Sequence, residues 1–363
     1  MAADQLDAVN LAAVPVGGQI NEDLMQEIFD VSPIDLPFTD AIGKTTSSNF
    51  LKEWVRESLV AANPDNARID GSSSDTLNDT VTGERIQNYH QIMSKTVRVS
   101  DRARNVDALG SSDELVRQLM KRGKEIRRDA EASFTSRNIA VAGDGTAAAG
   151  KLAGVGGWIG TGQSATNTDR GATTGADPIL SGNPGGYPTT AAVSGTARAL
   201  SETAIKNMMQ AAYLKGGEPT MAMSTPTAIQ ILSDYLFTSS ARVATLQSNA
   251  PQSNRTDNSS GGGRSDGGIV AQGSVNVLVT NFGTLNLTPN RFQPESAAGE
   301  ADLYLIDPTT WEISFLQGYE TNELARTGLG DNREITCDVT LVSNNEEANA
   351  VVADIDLTAA GEA

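Results

Sequence analysis

The feature that most constrains this chain is a long run of alternation between Arg85 and Ser100. Ile86, His90 and Ile92 fall on one face of the extended chain, and Tyr89, Met93, Val97 and Val99 on the other. Upstream, Phe50–Leu59 is strand-like around Trp54 and Val55, and the polar stretch 63–83 reads as a broad loop tip. The pattern predicts a long two-stranded hairpin over 44–100. An isolated two-stranded ribbon is marginally stable at best in water. One that is apolar on both faces must find contacts outside itself.

Residues 1–43 pose the same problem. They read as an arm, with one amphipathic turn at Asn21–Phe29 that puts Leu24, Ile28 and Phe29 on one side. Ser32-Pro33 and Leu36-Pro37 then hold the chain extended, because the residue before a proline avoids the α region. Such an arm must lie on another part of the molecule or on a neighbour.

The strongest helix signal covers 111–142. Ser111 and Glu114 form a capping box, and Leu115, Leu119, Ile126, Ala130 and Phe134 follow at helical spacing. About thirty residues at ~1.5 Å each give roughly 45 Å. The helix carries Arg117, Lys121, Arg122, Lys124, Arg127, Arg128 and Arg137. Two readings stand: a solvated face with Lys121–Glu125 and Arg127–Glu131 pairs, or a positive stripe that meets acidic surfaces of neighbouring subunits.

Trp158 and Ile159 anchor a Gly- and Thr-rich stretch in which 160–196 reads as a long loop. From Ser201 the pattern becomes α/β. A helix over 201–215 presents Ile205, Met208, Met209 and Ala212 and closes at Gly216-Gly217. A strand at 220–224 precedes a helix that starts at Thr225-Pro226 and runs to about Leu236. After a flexible loop at 249–268, strands are expected at 275–280, 284–289, 302–306, 311–316, 333–343 and 350–357. Ile335, Cys337, Val339 and Leu341 share one face of the fifth of these.

Motifs for chemistry were sought and fail. Gly43-Lys44-Thr45 resembles the end of a P-loop, but Phe38 stands where the first glycine must be. Gly154-x-Gly156 has Ile159 where a dinucleotide fingerprint needs glycine, and Asp354-x-Asp356 lacks the rest of a calcium loop. His90 and Cys337 are the single His and the single Cys, so no intrachain disulfide and no zinc cluster can form. His90 is expected as a packed strand histidine and Cys337 as a buried, inert thiol. No catalytic, cofactor-binding or metal-binding residue is expected, and the chain is read as no enzyme.

With 45 acidic against 27 basic residues, the net charge of −18 argues against gripping nucleic acid through charge. No apolar run of 18 residues predicts a membrane span, and the start lacks a secretory h-region. A cytoplasm-like site of synthesis follows.

The order of arm, ribbon, long helix, α/β part and final β-pair resembles the major capsid proteins of tailed bacteriophages, which share the HK97-like fold. The resemblance runs from about Ser32 to the end. It is carried by Pro37-Phe38, Gly43-Lys44, Glu53-Trp54 and Ser58-Leu59. Asn88-Tyr89-x-Gln91-Ile92 then leads to Thr96-Val97-x-Val99-Ser100. Further pieces are Arg128-Asp129-x-Glu131-x-x-Phe134, Gly154 through Trp158, and Gly216-Gly217-x-Pro219. Phe282-Gly283-Thr284-Leu285, Pro289-Asn290-Arg291-Phe292 and Asp307-Pro308-x-x-Trp311 follow. The densest match is Thr321-x-Glu323-Leu324-Ala325-Arg326-Thr327-Gly328, ending in Asn345-Glu346-x-Ala348.

The resemblance implies an α+β chain with an N-arm at 1–43 and an E-loop hairpin at 44–100 that reaches over a neighbour. A peripheral domain at 101–199 would hold a spine helix at 111–142, with an axial α/β domain at 200–310. Return strands and a tail would occupy 311–363. The implied protein self-assembles into hexamers and pentamers of an icosahedral head around double-stranded DNA. Implied partners are further copies of itself, a portal protein, and possible scaffolding and decoration proteins; no membrane is implied. It would belong to the virion and assemble in the host bacterial cytoplasm. Some members of the wider class join subunits through a Lys–Asn isopeptide bond from the E-loop, but 63–83 contains no lysine, and Lys52 and Lys95 lie toward its base. No cross-link is therefore expected. With about forty residues ahead of the ribbon, a scaffolding domain within this chain is not expected either. The alternatives are an encapsulin-like compartment shell and an acidic β-rich binding protein or enzyme.

Overall fold

The computed structural model describes residues 32–71, 82–106, 113–161, 167–170, 175–182, 185–238, 277–326 and 328–358. The turn expected at 21–29, the middle of the ribbon tip, Ser111 and the loop at 249–268 lie outside the described residues.

The chain enters through a short helix, α1 (Pro37–Ala41), and a strand, β1 (Gly43–Thr46). A hairpin follows. β2 (Leu51–Arg56) pairs antiparallel with β3 (Glu84–Tyr89), with Leu51 opposite Tyr89 and Arg56 opposite Glu84. The expected hairpin over 44–100 is shorter than its alternation suggests. At His90 the ladder breaks, and β4 (Gln91–Ser100) leaves β2 for another sheet. Burial changes parity at the same point, from Ile86, Asn88 and His90 to Met93, Val97 and Val99. Ile92, expected on the face of His90, is 73% exposed. The cause is the partner: β4 runs against a 14-residue strand whose Cys337 faces Met93. Apolar residues on both parities therefore serve two separate surfaces rather than two faces of one ribbon.

Ser100 caps a short helix, α2 (Asp101–Asn105), and the long helix α3 spans Glu114–Phe134. The 21 residues of α3 make roughly 32 Å at ~1.5 Å each. This corrects the expected span of 111–142 at both ends. Asp113 is the N-cap and accepts the Leu115 N–H at 2.9 Å, so Glu114 is the first helical residue rather than the third of a capping box. At the C-terminus, Thr135 Oγ1 donates to the Glu131 carbonyl and Ser136 Oγ to that of Ser133. These side chains satisfy carbonyls of the last turn. The chain then runs beside 151–157, where Gly154 N–H donates to Asn138 O and Gly156 N–H to Ser136 O, both at 3.1 Å. A Cβ on Gly154 would collide with the Ser136 carbonyl, so this crossing requires glycine.

Gly154 leads into α4 (Val155–Trp158), and three short strands follow: β5 (Thr168–Asp169), β6 (Ile179–Leu180) and β7 (Pro188–Thr190). The α/β part opens with α5 (Glu202–Leu214), capped by Ser201, then β8 (Met221–Ser224) and α6 (Pro226–Thr238). After it come β9 (Val277–Thr280), β10 (Gly283–Pro289), β11 (Glu300–Ile306), β12 (Trp311–Leu324), β13 (Gly330–Ser343) and β14 (Ala350–Asp356). The expected elements of this half recur within a few residues, except that β12 continues eight residues beyond Leu316.

Two larger sheets result, with orders β1-β12-β13-β4 and β5-β14-β11-β8-β10-β9. The last segment, 311–363, is divided between them: β12 and β13 lie in the first sheet, β14 in the second. Phe38, Ile126, Phe134, Trp158 and Trp311 share the main core, and Phe38 meets Trp311 edge-on at 6.2 Å. Each such side chain contributes roughly 1.5–3 kcal/mol of burial. A second core gathers Ile205 and Met209 of α5 with Leu285, Leu303 and Val352.

Candidate assembly surfaces

The hairpin has a fixed root, and the described residues 57–71 beyond it are exposed. At the root, Trp54 Nε1 donates to Ser343 O at 2.9 Å, and the Trp54 ring lies 5.7 Å from that of Trp158. Asn88 is fully buried: Nδ2 donates to Leu341 O at 2.7 Å, and Oδ1 accepts the Ala153 N–H at 3.0 Å. Arg56 pairs with Glu84 and with buried Glu346. Burial opposes the Arg56 charge, but the two carboxylates more than offset it and hold its pKa above the ordinary value.

Beyond Arg56 the chain leaves the body. Leu59 is 97% exposed, Ile69 83% and Val60 68%. Exposed apolar side chains beyond an anchored root make this stretch a candidate interaction surface. The sequence signal was present, since Leu59 and Val60 sit together in an otherwise polar stretch.

A second candidate lies along β12. β1 pairs with it only from Glu312 to Phe315. From Leu316 to Leu324 the outer edge has no neighbouring strand among the described residues, and register shifts fall between Phe315 and Glu320. Open edges offer unpaired backbone groups, and bulges are one means of controlling what pairs with them.

The basic face of α3 is largely occupied within the subunit. Arg117 pairs with Glu114, Arg122 with Glu125, and Lys95 of β4 with Asp129. Arg127 lies over the Tyr319 ring at 5.4 Å and Arg128 over Phe292 at 4.8 Å. Arg137, past the helix end, donates two bonds of 2.6 Å to Asp302 and one of 3.2 Å to Asp354. Spacing of three replaces the expected Lys121–Glu125 pair, and the expected Arg127–Glu131 pair is absent because Glu131 points inward, fully buried. Its carboxylate accepts the N–H groups of Phe38 and Thr39, both at 2.9 Å, and the Asn290 side-chain amide at 2.8 Å. Sequence reasoning missed this role.

The residues singled out for possible chemistry are kept apart. Lys44 and Thr45 lie in β1, opposite Ile313 and Ser314, not in a phosphate loop. Cys337 is 1% exposed, and burial pushes its thiol up to about 11. His90 is tied to Phe50 instead, through ring Nδ1 at 3.0 Å. Asp354 belongs to the Arg137 cluster. Among the described residues, no group of three or more His, Cys, Asp or Glu is placed to hold a metal ion. No helix among them is long and apolar enough to cross a membrane.

A model of the SU10 major capsid protein family matches residues 6–356. The chain belongs to that family. The major capsid protein of Escherichia phage Phieco32 is 36% identical over 108 residues, covering 29% of this chain and 30% of the relative's length. Solved capsids share the fold at low identity. The capsid of a native GTA particle superposes with a TM-score of 0.53 at 13% identity, covering 96% of this chain and all of that one. The Cyanophage A-1(L) capsid gives 0.53 at 13% identity over 93% of this chain and 97% of that one. A chain of Mycobacterium phage Bobi gives 0.55 at 10% identity over 96% and 98%. The SU10-family subunit therefore has the HK97-like fold that the order of its segments suggested.

Proposed function

We propose that the chain is the major capsid protein of a phage head and self-assembles into hexamers and pentamers of an icosahedral shell around double-stranded DNA. The observation that carries this reading is the hairpin, locked at its root by Trp54, Asn88 and Arg56 and carrying exposed Leu59, Val60 and Ile69 beyond it. That hairpin is the E-loop, and a neighbouring copy supplies its cover. The sheet β1-β12-β13-β4 with α3 forms the peripheral domain, and the sheet containing β8–β11 with α5 and α6 forms the axial domain.

The role is structural, with no catalytic residue. Lys52 Nζ donates to Thr46 O and Lys95 pairs with Asp129, so both lysines near the hairpin are engaged inside the subunit. Stability of the shell comes from large repeated non-covalent interfaces. A portal protein, a separate scaffolding protein and a decoration protein are the further partners. The acidic excess faces much of the packaged DNA, which a container holds without gripping. Assembly takes place in the host bacterial cytoplasm and the product is the virion.

Electron microscopy of the protein expressed with its neighbouring head genes tests this. Large closed shells are the expected outcome. Small compartments of uniform size favour a cargo-storing encapsulin, and a monomer at high concentration overturns both.

A further inference from the structure

Two bare stretches of backbone in this subunit match one another. From Glu320 to Leu324, β12 keeps a regular register with β13, Glu320 opposite Thr336 and Leu324 opposite Asn332. Its other edge has no neighbouring strand there among the described residues. The hairpin holds the counterpart. β2 and β3 stay paired only as far as Arg56 and Glu84, and residues 57–62 run on exposed, with no strand partner among the described residues. Each stretch offers backbone amides and carbonyls that a second strand would pair.

The space beside the β12 edge also suits apolar side chains. Thr321 and Glu323 stand opposite Ile335 and Arg333, on the face from which Ile335 packs with Ile126 of α3. On α3 itself, Val116, Met120, Gly123 and Arg127 follow one another at helical spacing. A Cβ on Gly123 would lie 3.9 Å from Ile335 Cδ1, and Arg127 lies over the Tyr319 ring at 5.4 Å, so this stripe looks toward β12. Nearer the helix start the same stripe presents Val116, 50% exposed, and Met120, 61% exposed. A strand laid along β12 would turn every second side chain to that side. The run Leu59-Val60-Ala61-Ala62 supplies apolar groups on either parity. Charge agrees as well: this side carries Arg127 and Arg333 against Glu323, while 57–71 carries Glu57, Asp65 and Asp70 against Arg68.

The two stretches cannot meet within one subunit. Trp54 is held at Ser343, opposite Trp311 at the start of β12, and Arg56 is held at Glu346. Glu320 lies nine residues farther along β12, roughly 25–30 Å away at ~3.3 Å per residue. A stretch that begins next to Arg56 therefore cannot lie along its own copy's edge. We propose that residues 57–62 of one subunit add as a strand to the Glu320–Leu324 edge of β12 in a second copy, with their apolar side chains beside Val116 and Met120. This rests on the capsid reading above and names the surface that receives the hairpin.

Disulfide trapping tests it. T321C is combined in turn with E57C, S58C, L59C, V60C, A61C and A62C, while the native Cys337 is buried and stays out of the reaction. Residues directly opposite in adjacent strands have Cα atoms about 4.5–5.5 Å apart, within disulfide reach. Oxidised shells should give intersubunit multimers on a non-reducing gel at one of the six positions and not at its immediate neighbours, whose side chains point the other way. In the unsubstituted protein, amide exchange at 320–324 should slow by about tenfold or more from free subunit to shell. M120D, at an exposed site, should fold as the parent does yet form no shells, which decides the matter where a cysteine pair blocks assembly. Shells without a position-dependent cross-link, shells with unchanged exchange at 320–324, or normal M120D shells each overturn the docking and leave the capsid reading standing. An unsubstituted protein that forms no shells overturns the capsid reading and the docking with it.

Discussion

Oε1 of Glu131 accepts the side-chain amide of Asn290 at 2.8 Å, and the same carboxylate accepts the amides that open α1. One buried carboxyl group in the long helix thus joins the incoming arm to the segment leaving β10 through neutral donors.

E131A should strand these buried donors. At ~1–3 kcal/mol per orphaned buried group, with partial relaxation, the loss is on the order of 3 kcal/mol. Scanning calorimetry of the unassembled subunit should show a fall of about 5 °C or more. E131Q keeps one acceptor oxygen and should lose less. An unchanged midpoint in E131A would show that the network contributes nothing.

Arg137 poses the converse case, a cation between two buried carboxylates. R137M leaves Asp302 and Asp354 without it, and breaking such a cluster costs about 3–5 kcal/mol. Urea unfolding should reveal the loss as a lower midpoint. A midpoint equal to that of the parent would mean that the cluster is neutral in the balance.

Leu59 and Ile69 separate assembly from folding. Both are exposed in the subunit, so L59D and I69D should alter its stability by less than about 0.5 kcal/mol. Light scattering and microscopy should nevertheless show that shells no longer form. Normal shells from the double variant would remove the hairpin end from the interface.

Cys337 provides a chemical probe. Burial raises the thiol to about 11, so little thiolate exists at pH 8 and the sulfur is shielded. A thiol reagent should label it slowly in the folded subunit and rapidly in denaturant. Fast labelling of the native protein would mean that β4 separates readily from β13.

What could be read beforehand divides along physical lines. The long helix was legible because Leu115, Ile126, Ala130 and Phe134 repeat at its period, although its ends were not: Asp113, not Ser111, forms the cap, and Thr135 and Ser136 close it early. The strands after Thr220 were legible because turn residues separate them, although β12 and β13 each run to 14 residues. The hairpin misled because alternation is local, and nothing local records that the partner strand changes at His90. Asn88 and Glu131 were hidden for a related reason. Each is polar and buried, and its partners lie 65 to 253 residues away for Asn88 and 92 to 159 residues away for Glu131. That Leu59 and Val60 are exposed was not legible beforehand, because exposure depends on what the rest of the fold brings near them.

The root of the hairpin has a mechanical consequence. Trp54 is fastened at Ser343, the last residue of β13, and Arg56 at Glu346, in the short connection that carries the chain from β13 in one sheet to β14 in the other. The hairpin is thus a lever whose fulcrum is the seam between the two sheets. A load applied at Leu59 reaches both sheets together, so a subunit gripped by its neighbour would stiffen as a whole, and a nick between 344 and 349 would let the two halves yield separately.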